Sequence, residues 1–364
     1  MLTKKNLGKI LPLFLLTTWA AAQSVPVAAS YHRVQIPDRP AALFTGEQGK
    51  QRTEVHFDPA TGDVTMKLLV QDPKGYFIPD LHRDNFAVYE NGVRQQNATV
   101  EVEHAPITLG IVMEHGGRYK GFNKTSSDEV LRAGEMLLDE LGRNDKVAVW
   151  QYADTPQRIA EFTTAHDRLD QLFMSSEVPD SSETNFYDAL VSTSQAMKDV
   201  TGRKALIVIT SGVDTFSKAK YVDALEAVRT SGTPVYIMNL GSDLRQVATK
   251  YATAGPYAHL DWKQIDGRLR EIANVSGGRM YAPSSILDLT GLYDDLMENL
   301  RVRYVISYRS STSTSPDVPR TVRVELIDPT TNGPLQVVDT KGKTIRSKVT
   351  VENAYVPTTW RAES

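Results

Sequence analysis

The stretch ITLGIVMEHGGRYKG, Ile107 to Gly121, brings a carboxylate, an imidazole and a guanidinium together in Glu114, His115 and Arg118. An acid beside an imidazole is raw material for general acid–base chemistry or for half of a metal shell. Either use needs partners. The H-E-x-x-H spacing of zinc hydrolases is absent and no second histidine stands at ligand spacing, so the pair reads as part of a loop. Ser211, in VITSGVD, lacks the preceding glycine of the G-x-S-x-G nucleophile elbow. A hydrolase built on Glu114, His115 and Ser211 is therefore the least supported chemistry. Asp214 reads as a solvated loop acid, with a substitute carboxylate as its alternative role.

The elements that must position these residues follow from periodicity. ITLGIVM is too continuously apolar for a half-exposed strand, which implies burial on both faces. SSDEVLRAGEMLLDELG carries a capping box from Ser126 to Glu129 and an apolar helical face of Val130, Ala133, Leu137 and Leu141. KVAVWQYA, RKALIVITSG, TPVYIMNLGS and RMYAP read as strands. They alternate with helices in TNFYDALVSTSQAMKDV, YVDALEAVRTSG, QIDGRLREIANVSGG and LTGLYDDLMENL. Such βα alternation predicts an α/β fold with a doubly wound, mostly parallel sheet. Ligands of these sheets bind outside the carboxyl ends of the strands, which is where Glu114 falls.

The flanks read differently. Val64, Met66, Leu68 and Val70 alternate, and Asn91-Gly92 follows Phe86 and Val88 as a type I′ hairpin turn. After Leu300, RVRYVISYRS, RTVRVELID, LQVVDT and TIRSKVTVENAY read as strands around a polar serine–threonine loop. Neither β segment is large enough to bury a two-sided core alone, so the two are expected to pair into one flanking β-sandwich-like module. The expected organisation is a signal peptide over 1–22, a flexible leader with one short strand over 23–63 and an N-terminal β module over 64–104. An α/β domain over 105–300 and a C-terminal β segment over 301–356 complete it.

Composition narrows the function. The net charge of −3 and the absence of a basic stripe give no footprint for nucleic acid. Lys4, Lys5 and Lys9, an apolar run from Ile10 to Leu16 and Ala20-Ala21-Ala22 form a secretory signal pattern with cleavage after Ala22. The apolar run falls short of the ~20 residues a membrane span needs. An exported, periplasmic or extracellular protein that does not span the membrane is expected, and with no cysteine it must hold together by packing alone. The N-x-S/T triplets at Asn97, Asn123 and Asn274 would be silent in a bacterium.

Taken together, these motifs resemble a von Willebrand factor type A domain, and more narrowly the exported bacterial (acidobacterial) VWFA-related family. VQDPKGYFIPDLHRDNFAVYENGVRQQ resembles that family's segment before the domain. LGIVMEHGGRYKG stands at the strand and D-x-S-x-S metal loop, while SSETNFYDAL, KALIVITSGVDT and VRYVISY fill the remaining landmarks. The resemblance implies a metal-ion-dependent adhesion site of hard oxygen ligands suited to Mg²⁺. Glu114 stands at its first aspartate, Gly116 and Arg118 at its two serines, Thr184 at its threonine and Ser211 at its last aspartate. Only the threonine is kept. Gly116 brings no side-chain oxygen, Ser211 removes a charge and Arg118 adds a repelling one. The resemblance so corrected implies a degenerate site with no cofactor; any metal would rest on Glu114, Thr184 and Asp214.

The expected function is a non-enzymatic protein–protein interaction (adhesion or scaffold) module, whose protein partner the sequence does not identify. The alternative is a divalent-cation-dependent adhesin with altered ligands. The binding rim of the interaction module would comprise Glu114, His115, Gly116, Arg118, Thr184, Ser211 and Asp214. The long connection from Ser242 to Trp262 opens on the same rim, and Tyr251, Tyr257 and Trp262 are candidate partner anchors.

Overall fold

A computed structural model describes residues 33–35, 55–72, 77–116, 120–174, 183–241, 245, 260–311, 318–339, 341–350 and 354–355. The stretch read as a signal peptide, Arg118, Tyr251 and Tyr257 lie outside them. In chain order, strands β1 (Arg33–Gln35), β2 (Val55–Asp58), β3 (Asp63–Gln71), β4 (Phe86–Glu90), β5 (Val93–Arg94) and β6 (Thr99–His104) come first. The α/β region follows as β7 (Thr108–Glu114), α1 (Lys120–Asp139), β8 (Lys146–Tyr152), β9 (Pro156–Thr163) and α2 (Asp167–Met174). It continues as α3 (Phe186–Lys198), β10 (Lys204–Thr210), α4 (Tyr221–Ser231), β11 (Val235–Asn239), α5 (Trp262–Ser276), β12 (Met280–Tyr281) and α6 (Leu289–Arg301). Strands β13 (Val302–Arg309), β14 (Arg320–Leu326), β15 (Gln336–Val338), β16 (Thr344–Ile345), β17 (Lys348–Thr350) and β18 (Ala354–Tyr355) close the described chain.

The central sheet runs β12-β11-β10-β7-β8-β9, parallel throughout except for the β8–β9 pair. Alternate residues of its strands enter two separate cores. Leu109, Ile111 and Met113 of β7 pack with Leu137 of α1, Phe173 of α2 and Tyr293 of α6. Val112 faces the other way, with Leu190 of α3, Val228 of α4 and Ile272 of α5. Helices on both faces explain why β7 is apolar at nearly every position. With β8 on one side of β7 and β10 on the other, the chain reverses its winding at β7. That makes the carboxyl end of β7 the crevice of the sheet.

Two elements depart from the sequence reading. Helix α1 begins at Lys120, six residues before Ser126, so Ser126 lies inside the helix and does not cap it. Nothing between Lys120 and Ser126 breaks a helix outright, so the helix propagates past the local capping signal. Strand β9 and helix α2 have no counterpart in the reading; β9 is an antiparallel edge strand whose exposure does not alternate cleanly.

The flanking segments form the expected β-sandwich-like module. One sheet runs β17-β3-β13-β6 with β2 on β3, and the other runs β18-β14-β4-β5. Met66 and Leu68 of β3, Tyr304 and Ile306 of β13, Val88 of β4 and Val322 of β14 share one core. The hairpin turn at Asn91 and Gly92 has φ of 47° and 81°, as a type I′ turn demands. The stretch read as a leader supplies two strands where one was expected, β1 on β15 and β2 on β3. TIRSKVTVENAY, expected as one strand, divides into three that pair with β15, β3 and β14.

A buried polar knot ties the two segments together. The Glu90 carboxylate accepts from Tyr308 Oη at 2.7 Å and Ser310 Oγ at 2.6 Å, and Arg320 approaches it at 3.4 Å. Tyr308→Phe removes one charged hydrogen bond from a carboxylate with no access to water, so it should lower stability by about 1.5–3 kcal/mol in urea unfolding. A single transition should persist, because the N- and C-terminal strands share one core.

Candidate functional site

The crevice at the end of β7 is built by three strand ends. Glu114 ends β7, Tyr152 pairs with it at the end of β8, and Thr210 ends β10. Glu114 is 7% exposed, and its Oε2 accepts from Ser211 N at 2.7 Å, Thr210 Oγ1 at 2.9 Å and Tyr152 Oη at 3.2 Å. Ser211 Oγ donates to the same carboxylate, 2.9 Å from Oε2 and 3.0 Å from Oε1. Both oxygens are engaged. Burial raises the pKa of Glu114, and these donors only partly offset the loss of water. Burial, then the Glu114 charge, holds the Tyr152 phenol well above its usual value, so it remains a donor.

Gly116 marks a close approach of backbone to backbone. A Cβ there would stand 2.4 Å from Glu183 O and 2.8 Å from Ala153 Cα. Position 116 tolerates only glycine in this packing. His115 is buried beside it, its backbone N–H donating to Tyr152 O at 2.8 Å.

Thr184 and Asp214 form the opposite lip. Thr184 donates its N–H to Thr215 Oγ1 at 2.8 Å and accepts from Thr215 N at 3.0 Å. Its own hydroxyl is buried and has no hydrogen-bond partner among the described residues, in a residue 4% exposed. Asp214 accepts from Tyr187 N at 3.1 Å and from Ser217 Oγ. Burial raises its pKa, with the Ser217 bond opposing. It is thus a half-buried acid that organises the loop after β10. Asp188 does similar work, accepting from Lys218 N and Ala219 N at 3.0 and 2.8 Å.

The structure therefore brings Glu114 and Ser211 into contact, sets Gly116 against the chain next to Thr184, and joins Thr184 to the Asp214 loop. Trp262 opens α5, where the Arg245 guanidinium lies over its ring at 5.2 Å and pairs with Asp266. That places the indole against its own domain. Four contributors escaped the sequence reading. Thr210 and Tyr152 stand at strand ends beside Glu114, a position that the crevice rule flags. Asn185 bridges Asp154 O at 2.7 Å and Phe216 N at 3.1 Å. Phe216 is 69% exposed on that pinned loop, and nothing local in the sequence separates it from a core phenylalanine. Among the described residues no cluster of three or more His, Cys, Asp or Glu is arranged to hold a metal, and no helix is long and apolar enough to cross a membrane.

Residues 120–293 match the family model described as von Willebrand factor type A domain, so the match starts just after the β7 loop. No curated protein matches the chain. Similar solved structures include the conserved hypothetical protein BatB from Bacteroides thetaiotaomicron. It is 14% identical over 54% of this chain and 98% of its own, with a TM-score of 0.37. Proximal thread matrix protein 1 from the mussel byssus is 12% identical over 58% of this chain and 51% of its own, with a TM-score of 0.41. The PilB minor pilin from Streptococcus sanguinis is 10% identical over 54% of this chain and 61% of its own, with a TM-score of 0.38.

Proposed function

We propose that this chain, which carries a von Willebrand factor type A domain, is an exported, non-enzymatic protein–protein interaction module whose metal-ion-dependent adhesion site is degenerate. The observation that supports it most is the direct contact of Glu114 with Ser211. Mg²⁺ wants hard oxygen ligands in octahedral array. At this site both oxygens of the only carboxylate from β7 are turned to protein donors. Ser211 offers a neutral hydroxyl already donating, and Gly116 has neither a side chain nor room for one. These residues do not fit the ion. With the crevice closed on itself, binding falls to the rim, where Phe216 stands exposed on a rigid loop. Large, preorganised apolar side chains of this kind carry much of the affinity of protein interfaces. The signal pattern at the N-terminus supports export.

The buried, unpartnered hydroxyl of Thr184 favours a second reading, a cation-dependent adhesin using Glu114, Thr184 and Asp214. Thermal melts with Mg²⁺ or Mn²⁺ separate the two. The degenerate site should show no saturable shift in Tm up to millimolar ion, whereas a saturable shift would establish the adhesin. Capture of a partner from the envelope fraction of the source organism should survive EDTA; loss of all capture with and without metal would remove the interaction reading.

A further inference from the structure

A second concave site lies on the β module, away from the crevice. It is a cavity of about 350 Å³, the size range of small-ligand sites. Its lining is mostly polar, with the buried side chains of Phe86 and Ile327 at its edge. Its walls carry two arginines from separate elements. Arg83 stands in a short 3-10 turn, and Arg94 ends the short hairpin strand β5.

Both guanidiniums are held in place but keep donors to spare. Arg83 Nε donates to Ala98 O at 2.7 Å and its Nη2 to Gln96 O at 3.2 Å. Arg94 Nη1 donates to Asn332 Oδ1 at 3.1 Å. Since each guanidinium has five N–H groups, the greater part of the Arg94 fork remains available, while Arg83 keeps the second N–H of Nη2 and the Nη1 group that faces Asp84. The frame behind them is fixed too, because Ile327 N donates to Asn85 O at 2.8 Å and closes the turn onto β14. The only acid in the lining is Asp84, 3.7 Å from Arg83 on the exposed lip. Arg94 forms no ion pair among the described residues. The lining thus keeps one more positive than negative charge, with planar donors that suit a carboxylate.

We propose that this cavity binds a carboxylate-bearing ligand of sugar-acid or amino-acid size, with Arg94 and Arg83 gripping the carboxylate. Two sources share that chemistry, an acidic saccharide and the free C-terminus of a peptide. Calorimetric titration of the full chain with D-galacturonate and with N-acetyl-alanine distinguishes them. D-galactose and N-acetyl-alanine amide serve as the uncharged controls. At least one acid should saturate at millimolar concentration and its control should not. Binding should weaken as the pH falls through about 4, where the ligand carboxylate protonates. Arg94→Gln, whose side chain leaves the surrounding fold intact, should weaken binding by roughly tenfold or more, with Arg94→Lys intermediate because it keeps charge but not the fork. An unchanged Tm would confirm that the variant is folded. Failure of both acids to saturate, equal binding of the neutral controls, or unchanged binding in Arg94→Gln would each overturn the proposal. None of these outcomes depends on the crevice at β7 or on whether it takes a metal.

Discussion

Gly116→Ser is expected to destabilise the α/β domain by at least about 3 kcal/mol, although serine is the residue the family resemblance implies there. The new Cβ would meet Glu183 O at 2.4 Å and Ala153 Cα at 2.8 Å, and both are backbone atoms. No rotamer change relieves such a contact. The chain on either side is also pinned, since His115 N donates to Tyr152 O and Asn185 N to Ala153 O. Relief requires these segments to part, which would loosen the Thr184 lip. Replacing Glu114, Gly116, Arg118 and Ser211 together with Asp, Ser, Ser and Asp should therefore fail to build a Mg²⁺ site. The protein would lose stability first. Equilibrium urea unfolding of Gly116→Ser and Gly116→Ala decides this, because the two should be similarly destabilised if the Cβ is at fault. A stable Gly116→Ser variant would show that the loop can open, and would reinstate the route back to a metal site.

Removing the Glu114 side chain should have a comparable effect for a different reason. Glu114→Ala leaves Ser211 N, Ser211 Oγ, Thr210 Oγ1 and Tyr152 Oη facing a gap. At ~1–3 kcal/mol for each donor left unsatisfied, and less than additively, a loss of roughly 3–5 kcal/mol is expected. Glu114→Gln should behave otherwise. Its amide oxygen can take the place of Oε2, and its NH₂ can donate to Ser211 Oγ once that hydroxyl turns.

The difference between Gln and wild type also carries a pH signature. The folded pKa of Glu114 is raised above its ordinary 4.5, so the folded state holds the proton more tightly than the unfolded chain. Its favourable contribution is fully present below the unfolded pKa and is lost as the pH rises through the folded pKa. Relative to wild type, Glu114→Gln should thus gain stability as the pH climbs from about 4.5 towards neutrality, and the gap should level off above the folded pKa. Urea unfolding of both proteins across that range would reveal it. A gap that shrinks with rising pH would mean that the hydrogen bonds to the carboxylate outweigh its burial.

Much of this architecture is carried by local pattern. The unbroken apolar run of β7 announced burial on both faces, and two helical layers supply it. Asn91-Gly92 specified a hairpin because few other pairs accept positive φ at both positions. The alternation of strands and helices specified a parallel sheet, and the carboxyl end of its first strand marked where Glu114 would fall. Each of these signals lies within a few residues of chain, where side-chain periodicity and backbone preference act directly.

What the pattern could not carry are the approaches between distant segments. That Glu114 turns its carboxylate to Ser211, that Gly116 presses on Glu183 and Ala153, and that β1, β2 and β17 find β15 and β3 all depend on strand order. The existence of β9 belongs with them, since its pairing with β8 stabilises it beyond its own propensity. The sequence alone determined that Gly116 and Ser211 stand where the resemblance implies oxygen ligands of other types. Only the tertiary structure decided that position 116 has no room for a side chain, because that is a matter of which backbones are brought within van der Waals reach, and residue type does not encode it.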